Sequence, residues 1–310
     1  MLGHLSDEDL FNAFITFLLT EKRYSKNTFI AYKKDIEQLL LFFKEKKVNV
    51  LICNKNHLKN FLKKLKDDGV TAKTLSRKIS CFKAFFNFLT ERFKIPNKAG
   101  ALIFPKLEQT LPIYLTEGEI EELLKAAAKD NSDKGVRNRV MLSLLYASGM
   151  RVSELVDLKI DQIHFDTGFI SLVGKGNKER VVPLPDAILR FVNFYLENIY
   201  ENLKPKAEKN KNIFGKNYLF FSFYNNEIKP ISRQSFWIIL KNILSKSKIN
   251  KKVSPHTLRH SLATHLLKGG ANIRSLQLLL GHENISTVQI YTHLEKSHVR
   301  KIYDDKHPRA

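Results

Sequence analysis

Between Gln162 and Leu184 the apolar residues change their spacing from every third or fourth position to every second. Ile163 and Phe165, Phe169 to Val173, and Glu179 to Leu184 form three short runs, separated by Asp-Thr-Gly and Gly-Lys-Gly-Asn turns. They predict a three-stranded antiparallel unit. Elsewhere the pattern is helical, which makes the chain mainly α with one small antiparallel β-sheet, an α+β protein. Its 310 residues suggest two domains, and 43% hydrophobic residues with 22 Phe supply enough apolar surface for two cores.

The first hundred residues predict four amphipathic helices with short connections, a small bundle. Asp7 to Thr20 places Leu10, Phe11, Phe14, Phe17 and Leu18 on one face. Ser25 is placed to cap a second helix running to Lys44. A third carries Leu58, Phe61, Leu62 and Leu65 and ends near Gly69. Thr74 opens a fourth, with Ile79, Phe82, Phe85, Phe86 and Leu89 facing inward. Pro96, Pro105 and Pro112 then break the pattern, so residues 1–95 are read as one domain, 96–115 as a linker and 116–310 as a second domain. Thr116 begins a capping box. Val140 to Tyr146 is an apolar helix stopped near Gly149. Residues 204–216 are a Lys/Asn-rich loop, Tyr218 to Phe223 a short strand, and the chain is helical again from Ser232.

The 52 Lys and Arg exceed the 31 Asp and Glu by 21. Lys22 to Lys98 alone holds 20 basic and 6 acidic residues, an excess of 14 in a quarter of the chain. Such clustering favours a nucleic-acid footprint over compositional drift. Lys33, Lys34, Lys73, Arg77, Lys78 and Lys83 on the polar helix faces are the candidate DNA-binding residues, although any one of them taken singly fits an ordinary solvated face. Two cysteines exclude a disulfide scaffold; Cys53 and Cys81 are read as buried hydrophobes of a reduced protein. There is no long apolar run, and Asp7, Glu8 and Asp9 precede the first apolar stretch. The expectation is a soluble cytoplasmic protein without membrane insertion.

Four short segments carry chemistry. In Ser148-Gly-Met-Arg-Val-Ser-Glu, Arg151 follows a glycine helix stop and Glu154 reaches the same face. The pair suits a guanidinium aimed at phosphate and oriented by a carboxylate; it equally suits a surface ion pair. Gly174-Lys-Gly-Asn-Lys-Glu-Arg is flanked by strands, so it is not a phosphate-binding P-loop but a hairpin tip presenting Lys175. Ser254-Pro-His-Thr-Leu-Arg-His starts a helix with His256 and Arg259 one turn apart, at an anion-favouring end. His256, His260 and His265 lack the nearby acid of a metalloprotease helix, and no metal is expected. His282 follows the glycine of Leu280-Gly-His, and Tyr291 comes nine residues later.

Arg151, Lys175, His256, Arg259, His282 and Tyr291, in that order, resemble the signature of the tyrosine site-specific recombinases, within SGMRVSEL, GKGNKER, HTLRH, LLGH and IYTH. The resemblance spans nearly the whole chain and is nearest to the Xer type. HTLRH, GGANIRSLQLLLGH and the final His-Pro-Arg-Ala are more similar to the D-type paralogue than to the C-type. Leu262 and Val288 depart from the expected Phe and Thr, and the insertion after Leu203 is long. The resemblance implies a helical core-binding, SAM-like DNA-binding domain, a catalytic domain and a C-terminal helix exchanged between protomers. It implies that Tyr291 forms a 3′-phosphotyrosine, that Arg151 and Arg259 stabilise charge, that Lys175 is the general acid and that His256 and His282 assist, with Glu154 behind Arg151. No ATP, metal or other cofactor is implied. The implied partners are a double-stranded DNA recombination site, a homo- or hetero-tetramer with a paralogous XerC-like recombinase, and an FtsK-like DNA translocase. The implied task is resolution of chromosome dimers at a replication-terminus site during cell division. Competing readings are a mobile-element integrase, a non-catalytic architectural protein and a metal-dependent phosphohydrolase.

Overall fold

The computed structural model describes residues 5–22, 24, 26–106, 113–174, 179–204, 217–224, 227–281 and 308. The chain forms two compact units, Met1–Thr110 and Leu111–Ala310.

The first unit contains α1 (Asp7–Thr20), α2 (Lys26–Glu45), α3 (Lys55–Asp67) and α4 (Ala72–Phe93). Three of the four starts are fixed by side chains that satisfy the orphan N–H groups of the first turn. Ser6 and Asp9 form a reciprocal capping box on α1, and Asn54 and His57 do so on α3. Thr71 caps α4 by accepting from the Thr74 N–H, so this helix begins before Thr74, which belongs to its first turn. Phe14, Phe43, Phe82, Phe85 and Phe86 are fully buried, and Phe14 meets Phe85 edge-on with centroids 5.0 Å apart. Cys53 and Cys81 are free and buried in the same core.

Two expectations for this unit are corrected. The segment read as linker from residue 96 is part of the core at its start: Ala99 and Leu102 are buried in it, and Lys98 Nζ donates to the Val50 carbonyl at 3.1 Å. Pro96 and Gly100 mark irregular backbone there, not detached backbone. Lys78, expected on a solvated face, is turned inward and is only 5% exposed. Its Nζ lies 2.7 Å from Asp35 Oδ1 and 2.5 Å from Gln38 Oε1, and Arg77 also pairs with Asp35. The buried ammonium needs these partners because an unpaired charge is far more costly inside than in water. Lys34 and Lys73 are exposed as expected, Lys33 is exposed beside Glu37, and Lys83 lies over the Phe104 ring.

Removing the one acid of this cluster strands a buried cation. Asp35→Asn is expected to destabilise the chain by about 3–5 kcal/mol. The Asp35→Leu/Lys78→Met double replacement should recover most of that loss. Urea unfolding followed by circular dichroism checks both; an Asp35→Asn protein of parent stability would show the pair to be energetically idle.

The second unit contains α5 (Glu117–Ala128), α6 (Asp133–Ser148), α7 (Val152–Val156), β1 (Ile163–His164), β2 (Phe169–Val173), β3 (Glu179–Pro183), α8 (Asp186–Asn198), β4 (Phe221–Tyr224), β5 (Glu227–Pro230), α9 (Arg233–Leu244), α10 (Pro255–Lys268) and α11 (Ile273–Leu280). Every residue from Val140 to Met150 is buried, so α6 is the central helix, packed against α5, α8 and α10. β1, β2 and β3 form the expected antiparallel sheet in that order, with Ile170 opposite Val182 and Leu172 opposite Arg180. The strand near Tyr218 begins later than expected, at Phe221, and pairs with β5. Glu-Ile-Lys-Pro holds a single large apolar residue, too little to reveal β5 by alternation. Leu115 is fully buried, and its N–H donates to Ser261 Oγ at 2.8 Å, so the end of the expected linker belongs to this unit. Among the described residues no helix is long and apolar enough to cross a membrane.

Candidate active site

Gly149 ends α6 in the left-handed conformation, at φ +58°. A side chain there would also collide with its surroundings, since an added Cβ would lie 2.8 Å from both Leu262 Cδ2 and Leu280 Cδ2. The glycine therefore lets α10 and α11 close onto the end of α6. Ser148 Oγ accepts from the Met150 N–H, and Met150 is fully buried, which fixes the turn that delivers Arg151 to the start of α7.

Arg151 is tied at three points. Its N–H donates to Glu154 Oε2 at 2.7 Å, Nη1 to Glu154 Oε1 at 3.0 Å, and Nη2 to the Gly281 carbonyl at 3.0 Å. Arg259, on the second turn of α10, reaches the same place. Its Nη1 donates to the Gly149 carbonyl at 2.5 Å and its Nη2 to the Leu280 carbonyl. α10 begins as its sequence requires, with Ser254 capping and Pro255 at the first position. His256 stands exposed on its first turn, one turn before Arg259.

A third arginine completes the group. Arg180 on β3 is 5% exposed and forks onto Glu154, with Nη1 and Nη2 each 2.7 Å from a carboxylate oxygen; its Nε donates to the Leu279 carbonyl at 3.2 Å. The sequence places it in the expected strand Glu179 to Leu184 without singling it out. The signal was present, because Arg180 shares its strand face with Val182 and Leu184, both fully buried. A charge on the inward face of a strand calls for a counter-charge.

Three guanidinium groups thus surround one carboxylate. Burial opposes ionisation of Glu154, but hydrogen bonds and charge from Arg180 and then Arg151 outweigh it, and the carboxyl is held below the usual range. Burial, reinforced by the positive Arg151 and Arg180, pulls Arg259 down to about 10. The site holds more positive charge than Glu154 balances, an arrangement suited to an anion with several oxygens.

His256, His260 and His265 do not converge. His265 is buried, with Nδ1 2.8 Å from the Tyr146 hydroxyl, while His256 is exposed. The structure therefore brings together Arg151, Glu154 and Arg259, with His256 one turn from Arg259. Lys175, His282, Tyr291, the tail from Thr292 except Pro308, and residues 205–216 lie outside the described residues.

This architecture is that of DNA recombinases. A XerH site-specific recombinase bound to its difH substrate before cleavage matches with a TM-score of 0.66 and 21% identity, over 96% of this chain and 84% of that one. The Tn1549 transposon integrase bound to circular intermediate DNA matches with a TM-score of 0.68 and 18% identity, over 95% and 98%. Residues 114–298 match the phage integrase family, and residues 11–92 match its N-terminal SAM-like domain. Tyrosine recombinase XerD of Staphylococcus haemolyticus is 36% identical over 305 residues, covering 98% of this chain and all of that protein. Its namesake from Staphylococcus saprophyticus is 38% identical over 307 residues, with the same coverage. The chain belongs to the phage integrase family of tyrosine recombinases, enzymes that cleave and rejoin DNA.

Proposed function

We propose that this chain is a site-specific recombinase of the XerD kind and that Tyr291 is its nucleophile. The Tyr291 oxygen attacks a DNA phosphodiester, the P–O5′ bond breaks, and a 3′-phosphotyrosine remains. Lys175 gives a proton to the departing 5′-oxygen. Arg151 and Arg259 hold the non-bridging oxygens as charge builds on them. His256 and His282 assist by hydrogen bonding to the phosphoryl group or by proton transfer, which takes up the Tyr291 hydroxyl proton. A 5′-hydroxyl from the partner duplex reverses the steps and rejoins the strands, so one phosphodiester replaces another without an external energy source.

The observation that carries this reading is the convergence of Arg151 and Arg259 at the end of α6, with Glu154 fixing Arg151. The exposed Lys33, Lys34 and Lys73, with Lys83 and Arg77, are proposed to track the phosphate backbone in the first unit. By likeness to the relatives named XerD, the task proposed is resolution of chromosome dimers at a terminus-proximal site in the cytoplasm. The partners proposed are a paralogous recombinase within a tetramer and a DNA translocase.

A nicked suicide substrate carrying the candidate chromosomal site tests this. The nicked fragment diffuses away after cleavage, so the covalent complex accumulates and is read on a denaturing gel. Accumulation that persists in EDTA is expected. Cleavage that requires a divalent metal would overturn the mechanism.

A further inference from the structure

We infer that Arg180 is a positioning residue for strand cleavage: from β3 it clamps the Glu154 carboxylate that aims Arg151 and, by the same side chain, secures the end of α11. This rests on the role of Arg151 proposed above. Glu154 has two oxygens, and both are shared: Oε1 receives Arg151 Nη1 and Arg180 Nη1, and Oε2 receives the Arg151 N–H and Arg180 Nη2. Arg151 is partly exposed, with 31% of its side chain accessible, whereas Arg180 is buried. The buried fork fixes the plane of the carboxylate, and the carboxylate fixes the exposed guanidinium. Arg180 is thereby distinguished from Arg259, which has no hydrogen bond to Glu154 among the described residues and holds only main-chain carbonyls there.

The same residue reaches α11. Nε donates to the Leu279 carbonyl, and the Arg180 stem runs so close under Gly281 that an added Cβ would lie 3.0 Å from Cδ. Arg180 therefore links the strand after the Lys175 segment to the helix end that precedes His282, with Arg151 between them. A rigid link of this kind matters because small misplacements of reacting groups are costly, on the order of 100-fold for about 1 Å.

The test is single-turnover formation of the covalent complex on the suicide substrate, measured from pH 5.5 to 8 alongside DNA affinity. The charged groups facing Glu154 are Arg151 from the residue before α7, Arg180 from β3 and Arg259 from α10. With Arg180 gone, burial of Glu154 meets less opposition and its carboxyl takes up a proton more readily. Arg180→Met is expected to cleave about 100-fold more slowly than the parent, with unchanged DNA affinity. Its rate relative to the parent should fall further as pH falls. Adding Glu154→Gln should flatten that ratio, because the titrating group is removed. A purely structural lesion lowers affinity and folded fraction together and has no pH dependence that Glu154→Gln abolishes. If Arg180→Met does not fold, Arg180→Lys serves, with a smaller loss of the same pH signature, since one ammonium cannot replace the fork. A flat ratio, or cleavage at the parent rate, overturns the proposal. Arg151→Lys discriminates the underlying reading: if it cleaves normally, both fall; if it is slow while Arg180→Met is normal, only this inference falls.

Discussion

Tyr291→Phe is expected to bind its DNA site with unchanged affinity and to form no covalent protein–DNA complex at any time. The substitution removes one oxygen and keeps the ring, so packing and DNA contacts survive while the nucleophile does not. No other group in the proposed mechanism can supply the phosphotyrosine bond, which makes this the largest effect of any single substitution. Gel-shift titration and denaturing-gel analysis of the same reaction separate binding from chemistry. A covalent adduct formed by the phenylalanine protein would assign the nucleophile elsewhere.

Arg151→Lys and Arg259→Lys are each expected to slow cleavage by about 100- to 1,000-fold, the usual cost of losing one preorganised donor to a developing oxyanion. The geometry explains why retaining the charge is not enough. Arg259 spends one Nη donor on the Gly149 carbonyl and another on the Leu280 carbonyl. A guanidinium has five N–H bonds and so keeps donors for a phosphate while it stays anchored. An ammonium has three, on a flexible stem, and cannot anchor and bind in one plane. The depressed Arg259 pKa points the same way. Its folded value, about 10, lies below the ordinary 12.5, so keeping the group charged costs stability at every pH below 10, and the cost is relieved as pH rises above that. A bound phosphodiester relieves it at neutral pH. Single-turnover rates under saturating protein decide the matter, and rates within a few-fold of the parent would make both arginines structural.

Much of this molecule was legible because local chemistry and global fold agree. Thr116 and Ser254 announce helix starts by their side chains, and α1 runs over the residues that its apolar stripe marks. The change of period between residues 162 and 184 places the sheet for the same reason. What was hidden depends on partners distant in sequence. Lys78 reads as one more surface lysine until Asp35, 43 residues away, turns it inward. Arg180 reads as one more strand residue beside a basic turn until Glu154, 26 residues earlier, accepts its fork. Ala99 and Leu102 look like linker because the prolines and glycine around them describe backbone shape, not burial. The candidate catalytic residues were found as an ordered pattern; their spacing along the chain does not itself show that Arg151 and Arg259 meet, since that depends on Gly149 admitting α10 and α11.

The end of α11 has a consequence for how this sequence can diverge or be engineered. Arg180, Arg259 and Arg151 donate in turn to the carbonyls of Leu279, Leu280 and Gly281. Those acceptors are main chain, present whatever residue is written at the position. Identity at 279 and 280 is thus decided by the apolar core that both side chains enter, and a library of well-packed aliphatic replacements there leaves the arginine wiring intact. Position 281 has no such latitude, because its backbone is left-handed at φ +66° and the Arg180 stem fills the space a side chain would need. Two of the three arginine contacts, those to Leu279 and Leu280, are in this way invisible to any comparison of side chains at the positions that accept them.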